Sequence, residues 1–548
     1  MLSRLAGPQF AAQIGQARVW VNNSPRHPIS STERLAHCVV EWQHIQKGVC
    51  AVAKTIEIDT TVRGIALELS KLKKLVIKNL RRVGKLCPAL LSCLVFFCVN
   101  GALAQTNIPS VFTSFTEAQP AFHALQASPA PQTPALGDLT VAAWPDWRQK
   151  HDREIRLRLT RGEEDTLTDF LRFGLSFTKQ PPISNRELIE YDGNATIRAT
   201  AEQRIDDLVS AMASPGSNER VAQSRAFVEA KGFAPQSSES KTNESKTSES
   251  RDKLKAYLLA NLLRMRDEFL QYIHQPQGAN PFEIFKDRGI SLDTNLYPDF
   301  LIDVHLRHMI DAGLLKPGSI RRVAIVGPGL DFSNKEGGSD YYPPQTNQPF
   351  AVIDSLFRLG LSDSKILEVY TLDISPNVNS HIQEARMKAH AGIPYVLQLP
   401  WNTAAPVTEE YRGRFESYWQ SLGDRIGEST APFAVPAALA DRTKIKAVKI
   451  RPEIVSRIRA LDLDVVCQHL KLPDDQGFDL VIGTNVFLYY GLFDQLLIRS
   501  NVALMLKPGG FLLSNDKFPD TVPEILKNSL ITSQTVGQSP EYMFSYQR

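Results

Sequence analysis

A short apolar segment that runs into a glycine-bearing turn constrains the fold of this chain more than any other feature. Residues 321–332 read RRVAIVGPGLDF, and the apolar run ends at Gly327 and Gly329. The run is typical of a buried strand. Glycine lets a ligand approach the main chain, because it has no side chain and adopts backbone angles that a Cβ forbids. Open α/β sheets hold nucleotide-like ligands at such strand ends, so the segment predicts a sheet of this kind with a ligand at the turn.

Three further elements follow in the order that such a sheet requires. An apolar strand ends at Asp373 and Ile374, where a carboxylate can accept hydrogen bonds from two ribose hydroxyls. The alternative is that Asp373 only starts a turn. A third strand follows Asp479 and leaves the sheet at Thr484 and Asn485, and the fourth element, LKPGGFLL, is a helix end followed by another strand. This alternation predicts a mostly parallel sheet covered on both faces.

Together, the glycine turn, the acidic strand end, FDLVIGTNVFLYY (478–490) and LKPGGFLL resemble the class I S-adenosylmethionine-dependent methyltransferases. The resemblance covers roughly residues 296–518, and TNVFLYY with LKPGG is locally similar to the chemotaxis-receptor glutamate methyltransferases. It implies an α/β fold with a Rossmann-like seven-stranded sheet, to which this chain adds a helical N-terminal region. It also implies S-adenosylmethionine as the cofactor, and a methyl acceptor, small molecule or protein, that the sequence does not identify.

The resemblance assigns roles to individual residues. Those expected to bind the cofactor are Gly327, Gly329, Asp331, Asp373, Ile374, Gln468, His469, Asn485 and Val486. The glycines would lie against the methionine part, Asp373 would hold the ribose, and Gln468 and His469 would lie near adenine. The pair after the third strand would line the floor beside the reacting methyl group. Catalytic residues stay unknown, with Tyr489 and Tyr490 as candidates to reach the acceptor, although at least one of the two is expected to pack in the core.

The glycine turn departs from the family pattern at three positions. Ile325 stands where the family has an acidic residue, Pro328 stiffens the turn, and Asp331 occupies the place of a third glycine. Asp331 is expected either to bind the ammonium of the cofactor or to cap a helix. Two other functions therefore stay open. One is a catalytically silent methyltransferase-like binding or scaffold protein, and the other is a nicotinamide-dependent oxidoreductase, against which the incomplete glycine pattern and LKPGG both count.

The chain divides into segments of different composition. The predicted segments are an N-terminal extension that is native or a gene-model artefact (1–70), a signal-like or membrane-anchor segment (71–104), a low-complexity linker (105–140), a helical region (141–235), a flexible polar spacer (236–250), a helical lead-in (251–320) and the methyltransferase-like domain (321–548). Within that domain, an insertion is expected at about 400–450.

The segment 71–104 resembles an export signal. A basic stretch precedes the apolar run Leu86–Val99, and Ala102–Ala104 fits a small-x-small cleavage site. The run is shorter than the ~20 residues that cross a bilayer comfortably, which favours a signal over an anchor. A translation start near Leu75 or Val76 would place it at the N-terminus. The protein is thus expected to be exported or held at a membrane through 86–104, whereas the cofactor favours the cytoplasm.

Composition excludes other classes of function. The chain has 43% hydrophobic and 22% charged residues, as soluble globular proteins have. Its net charge of +3 is too small to indicate a nucleic-acid surface. The six cysteines form no zinc or disulfide pattern. His305 and His308 share a helix without a third ligand nearby, so no metal site is expected.

Two insertions are expected to determine specificity. Residues 333–348 form a polar loop that carries Tyr341 and Tyr342. The second insertion contains more aromatic residues than a plain connection needs; they are Trp401, Tyr411, Phe415, Tyr418 and Trp419. These aromatic side chains either form a lid or acceptor pocket, or pack as the small core of a helical hairpin.

Overall fold

The computed structural model describes residues 108–127, 139–233, 235, 244–274, 289–290, 294, 296–331, 340–518, 525–537 and 539–548. All of these residues belong to one unit, Asn107–Arg548. The predicted extension at 1–70 and the signal-like segment at 71–104 lie outside the described residues. Within them, no helix combines the length and the apolar character that crossing a bilayer requires.

The described strands, in chain order, are β1 (Ser110–Phe112), β2 (Arg322–Val326), β3 (Glu368–Asp373), β4 (Tyr395–Asn402), β5 (Gly427–Thr430), β6 (Thr443–Ile450), β7 (Ile458–Asp462), β8 (Gln468–Leu470), β9 (Phe478–Gly483), β10 (Leu506–Ser514), β11 (Lys527–Val536) and β12 (Ser539–Gln547). The described α-helices are α1 (Phe115–Ala127), α2 (Trp144–Phe173), α3 (Asn185–Ile189), α4 (Ala195–Ala213), α5 (Glu219–Ala230), α6 (Glu244–Ile273), α7 (Leu296–Asp311), α8 (Gln348–Arg358), α9 (Pro376–His390), α10 (Glu409–Ser421), α11 (Pro452–Val455) and α12 (Leu492–Met505).

Seven strands form one mixed sheet in the order β11-β12-β10-β9-β2-β3-β7. The five strands from β10 to β7 are parallel, while β12 is antiparallel to both β10 and β11. The chain enters at β2, moves outward through β3 and β7, and then crosses to β9 on the other side of β2. Doubly wound sheets bind ligands at such a reversal, outside the carboxyl ends of the strands. The prediction of an α/β fold with a seven-stranded sheet is confirmed.

The two central strands are buried on both faces. Every residue of β9 is buried, and so is β2 beyond Arg322, as expected where helices cover both faces of a sheet. Asp479 joins the two strands, because its carboxylate accepts the backbone N–H groups of Arg321 at 2.6 Å and Arg322 at 2.8 Å. Lys507 Nζ forms an ion pair with Oδ1, the other carboxylate oxygen of Asp479. This buried acidic side chain therefore fixes where β2 begins beside β9.

Residues 139–274 are mainly helical in their described part, and a buried arginine holds their turns together. Arg204 of α4 is fully buried. Its guanidinium donates to the carbonyl oxygens of Leu171 at 2.6 Å, Gly174 at 2.5 Å and Gln180 at 2.7 Å. Carbonyls at the end of a helix lack a partner within the helix, so Arg204 satisfies the end of α2 and the turn beyond it.

The segment predicted as a low-complexity linker, 105–140, contains regular structure, because residues 108–127 include β1 and α1. Strand β1 pairs antiparallel with β8. Helix α1 packs against α12, where Phe122 contacts Phe493 with ring centroids 5.1 Å apart. Trp144 Nε1 donates to the carbonyl of Thr113 at 2.8 Å. The composition of the segment did not indicate these elements, because their few apolar residues contact partners only in distant parts of the chain.

Two other segment predictions need correction. Helix α6 begins at Glu244, so the end of the predicted spacer at 236–250 is helical. The insertion near 400–450 is a three-stranded antiparallel sheet, ordered β4-β6-β5, with α10 beside it, and not a helical hairpin. The five aromatic side chains named in the sequence analysis are all buried, and those of α10 pack on α7, where the rings of Phe415 and Tyr297 lie 5.0 Å apart. They form a small core and not a lid.

Candidate functional site

A cleft lies at the carboxyl ends of β2, β3, β7 and β9, where the strand order reverses. The sheet side of its lining consists of Val326, Gly327, Gly329, Leu372, Asp373, Ile374, Leu463, Val465, Thr484, Asn485 and Val486. Helices and connecting segments supply Leu159, Ile290, Thr294, Pro298, Gln348, Tyr489 and Tyr490. Of the eleven residues that the sequence assigned to the site, eight line this cleft.

The glycine turn presents bare backbone to the cleft. Gly327 and Gly329 have φ angles of 61° and 68°, a region that side chains with a Cβ rarely adopt. A Cβ on Gly327 would lie 2.6 Å from Val486 Cγ2, so glycine is also the residue that fits the space. Gly327 N–H donates to Leu372 O at 2.9 Å, which ties the turn to the end of β3.

Asp373 lies at the tip of β3 and is buried. Its Oδ1 accepts the backbone N–H of Ser375 at 2.7 Å, and its carbonyl accepts Asn379 Nδ2 at 2.9 Å. Burial raises the pKa of Asp373 to about 7, against the lowering effect of the Ser375 N–H, and the charge of Asp462 adds to the rise. A carboxyl fixed at this strand end can accept hydrogen bonds from a ligand diol, and it changes charge near neutral pH.

The loops after β9 and β10 hold each other in place. Asn485 N–H donates to Asn515 Oδ1 at 2.8 Å, and Asn515 Nδ2 donates back to Asn485 Oδ1 at 2.6 Å. Asn485 has a φ of 57°, and no other non-glycine residue in the described part of the chain has a positive φ. Such left-handed backbone is strained and concentrates at functional sites. The adjacent Val486 contacts the glycine turn.

Both tyrosines assigned as catalytic candidates line the cleft, and helix α2 covers them. Arg158 Nη2 donates to the carbonyl of Tyr489 at 2.6 Å, and the guanidinium lies 5.8 Å from the ring centre of Tyr490. Burial raises the pKa of the Tyr490 phenol well above its usual value, and the charge of Asp464 adds to this. Tyr490 is therefore neutral at physiological pH and can donate a hydrogen bond.

Asp331 does not line the cleft, contrary to the assignment of this residue to the ammonium of the cofactor. Its Oδ2 accepts the hydroxyl of Tyr342 at 2.6 Å and Gln345 Nε2 at 3.4 Å. Its carbonyl accepts Arg220 Nη1 of α5 at 2.6 Å. Asp331 thus links the glycine turn to the helical region, because the buried guanidinium belongs to a helix of that region. Beside it, Asp340 accepts the backbone N–H of Ser176 at 2.9 Å.

Gln468 and His469 also lie outside the lining, on β8, which is occupied by its pairing with β1. Gln468 Oε1 accepts the backbone N–H of Asp464 at 3.0 Å. His469 Nε2 lies 3.4 Å from Glu117 Oε1 of α1. At the end of β7, the lining residues are instead Leu463 and Val465. The sequence signal for these two residues is the strand that ends in Asp462, because its pattern is similar to that of VYTLD, which ends in Asp373. The two strands pair in register, with Asp462 opposite Asp373.

A roof formed by Leu159, Ile290 and Pro298 covers the cleft, and sequence reasoning did not find it. The roof depends on a close contact of two glycines. A Cβ on Gly162 of α2 would lie 1.8 Å from the carbonyl oxygen of Ile290, and one on Gly289 would lie 2.0 Å from Gly162 N. Ile290 N–H also donates to Arg158 O at 3.3 Å. Segment 289–290 therefore rests directly on α2.

A buried polar pair supports the wall of the cleft between α7 and α8. Gln348 Nε2 donates to Thr484 Oγ1 at 2.7 Å. Asp299 is buried beside Gln348, and burial raises the pKa of Asp299 well above its usual value although Gln348 opposes the shift. Gln348 therefore joins the start of α8 to the loop after β9 at the edge of the cleft.

No protein-family model and no curated protein sequence matches this chain. Among solved structures, matches include three that each have 12% identity and a TM-score of 0.22. TrmN from Thermus thermophilus matches over 46% of this chain and 52% of its own, so the chain spans about half the length of TrmN. For magnesium protoporphyrin IX methyltransferase (ChlM) from Synechocystis, with bound SAM, the shares are 52% and 90%. For a SAM-dependent methyltransferase from Aquifex aeolicus they are 49% and 98%. These are distant likenesses, and the α/β fold of this chain rests on its own strand order and register.

Proposed function

We propose that this chain is an S-adenosylmethionine-dependent methyltransferase. The observation that carries the proposal is the convergence of the segments that resemble this family in sequence. The glycine turn, the acidic end of β3 and the loop after β9 are far apart in the chain, yet they line one cleft at the reversal of the strand order. A cleft at this point is where open α/β sheets take nucleotide-like ligands.

The residues of the cleft fit the three parts of the cofactor. Gly327 and Gly329 would lie against the methionine part, and Asp373 would accept the ribose hydroxyls. Leu463 and Val465, in the segment that follows β7, would offer an apolar place for adenine. When bound, the cofactor supplies a methyl group on a positively charged sulfur.

The protein would act mainly by positioning. Transfer of a methyl group needs donor and acceptor in line, and holding two reactants in that geometry supplies much of the rate enhancement of such reactions. The paired Asn485 and Asn515 fix the loop beside Val486, and the roof would limit the access of water to the cleft. Since Tyr490 is neutral at pH 7, it would orient the acceptor by donating a hydrogen bond. A general base is required only for an acceptor that must lose a proton early.

A second candidate function is a catalytically silent binding protein with the same fold. The observation that favours it is the absence of an acidic side chain of the glycine turn from the cleft lining. Ile325 is apolar, and Asp331 is engaged by Tyr342 and by the buried Arg220. The two functions differ in whether the cleft binds the cofactor.

Calorimetric titration of the full chain with S-adenosylmethionine and S-adenosylhomocysteine tests the proposal. We expect both to bind, and we expect Asp373→Ala to weaken binding by about 1.5–3 kcal/mol, roughly 10- to 150-fold in Kd. Asp441→Ala, which removes an exposed carboxylate from the loop before β6, is the matched control and should bind as the unaltered chain does. Absence of binding at millimolar concentration would remove the enzyme proposal and leave the silent binding protein.

A further inference from the structure

A second cavity lies between the helical region and the sheet domain. We call it the groove; it is bounded by α2, α5, α9 and the start of β4, and Glu163, Phe227, Asn377 and Val396 mark its four sides. Its volume is about 800 Å³, which is within the range of small-molecule sites, and such sites are frequent where two structural regions meet.

The groove adjoins the cleft along three separate elements. On each of them, one residue lines the cleft and a near neighbour in sequence lines the groove. The pairs are Leu159 and Glu163 on α2, Gly329 and Leu330 on the glycine turn, and Ile374 and Asn377 at the start of α9. Asn377 Nδ2 donates to Glu163 Oε1 at 2.8 Å. This hydrogen bond links the side chains of α2 and α9 at the junction of the two cavities.

The mouth of the groove exposes large apolar side chains. Ile393, Val396 and Phe433 are 53%, 40% and 47% exposed, and all three line the groove. Clustered apolar side chains left in water mark sites where a ligand or partner is bound. The ligand therefore has an apolar body.

The charged groups of the groove favour a cation. Three carboxylates line it, those of Glu163, Glu219 and Glu384, against the single ammonium of Lys388. Lys388 lies 3.8 Å from Glu384, so the two largely offset each other. His381 adds no charge at pH 7, because burial lowers the pKa of its ring to about 4. The balance of two negative charges opposes a carboxylate or phosphate ligand and complements an ammonium.

Glu163 is the carboxylate best placed to hold that ammonium. It is half-buried on α2, whereas Glu219 and Glu384 are exposed to water and weakly effective. Burial raises the pKa of Glu163, although Lys231 opposes the shift and Glu164 adds to it. A ligand cation would restore the electrostatic stabilisation that burial removes from this carboxylate.

We propose that the groove binds the methyl acceptor, and that the acceptor is an amine with an apolar body whose nitrogen lies at Glu163, beside the cleft. The bound ammonium would first pass a proton to the Glu163 carboxylate. The freed nitrogen lone pair would then form the new N–CH3 bond as the S–CH3 bond of the cofactor breaks, and S-adenosylhomocysteine would leave. The identification of the ligand as the acceptor rests on the proposed function. The binding of an amine in the groove does not.

Calorimetry of the full chain at pH 7.5 tests the proposal with n-octylamine, n-octanoate and n-butylamine as probes. We expect n-octylamine to bind at least about 10-fold more tightly than n-octanoate, which has the same length and the opposite charge. Burial of its four additional methylenes should make n-octylamine bind on the order of 100-fold more tightly than n-butylamine. Equal binding of n-octanoate and n-octylamine would overturn the proposal.

Two variants locate the site. Glu163→Gln keeps an acceptor for Asn377 and removes the charge, so we expect it to weaken n-octylamine binding about 10-fold. Glu410→Gln, at an exposed carboxylate of α10, should leave it unchanged. Unchanged n-octylamine affinity in a folded Glu163→Gln variant would refute the assignment.

A parallel titration with S-adenosylhomocysteine separates this proposal from the proposed function. If the chain binds n-octylamine through Glu163 but not S-adenosylhomocysteine, the groove is an amine site and the methyltransferase proposal fails. If it binds S-adenosylhomocysteine but no amine, the groove proposal fails and the methyltransferase proposal stands.

Discussion

Replacing Gly162 by alanine should displace the roof of the cleft, although the same change normally stabilises a helix. Alanine in the interior of a helix is favoured over glycine by about 1 kcal/mol. At position 162, however, the new Cβ would lie 1.8 Å from Ile290 O, where ordinary contacts begin at about 3.4 Å. The Cβ is fixed to the backbone of α2, and Ile290 O is itself a backbone atom. Neither atom can rotate away as the end of a flexible side chain could, so segment 289–290 must move away from α2.

The cost follows from what that movement breaks. The hydrogen bond from Ile290 N–H to Arg158 O contributes about 0.5–1.5 kcal/mol, and exposing the buried Ile290 side chain costs about 1.5–3 kcal/mol. After subtraction of the gain in helix propensity, the unfolding free energy should fall by about 1–3.5 kcal/mol. We also expect weaker binding of S-adenosylhomocysteine, because Ile290 lines the cleft.

Gly413→Ala is the matched control for this substitution. Gly413 lies inside α10, and a Cβ there would meet nothing within 4 Å, so the change should stabilise the chain by up to about 1 kcal/mol. Thermal unfolding and calorimetry of both variants measure the two effects. A Gly162→Ala chain that is as stable as the Gly413→Ala chain and binds S-adenosylhomocysteine normally would refute the close contact of the roof with α2.

Three further substitutions test buried polar groups. Because burial raises the pKa of Asp373 to about 7, its contribution to stability is complete below pH 3.8 and is lost as pH rises through 7, by up to about 4 kcal/mol. Asp373→Asn should flatten the dependence of thermal stability on pH in that range, and an unchanged slope would contradict the assignment. The pKa of Asp299 is raised in the same direction, so Asp299→Asn should stabilise the chain increasingly from pH 4 to pH 8, and a loss of stability at pH 8 would show that an ionised carboxylate is needed. Arg220→Met should lower the unfolding free energy by about 3–5 kcal/mol, because it leaves buried groups around Asp331 without their charged donor; chemical denaturation measures this, and a change below 1 kcal/mol would contradict it.

The parts of the site that lie at strand ends were predictable from the sequence. Each strand is a short apolar run that ends in a residue suited to a turn or a ligand, as at Gly327, Asp373 and Asn485. Parallel strands bring such ends to one edge of the sheet. Local composition therefore sufficed for the glycine turn and for the strand tips.

The remaining parts depend on contacts between distant segments. Asp331 is drawn from the cleft by Arg220, which lies 111 positions earlier in the chain, and no local pattern indicates that pairing. Gln468 and His469 lie outside the cleft lining, because their strand β8 pairs with β1. The sequence did not indicate β1, because this strand lies in a stretch of low-complexity composition. The roof depends on the contact between Gly162 and Gly289, two glycines that look unremarkable in the sequence.

A crystal structure of the full chain with S-adenosylhomocysteine tests the central claim most directly. We expect the ligand across the ends of β2 and β3, with its ribose on Asp373 and its amino-acid part against Gly327. A ligand bound elsewhere, or a cleft that stays empty at saturating S-adenosylhomocysteine, would contradict the proposed function.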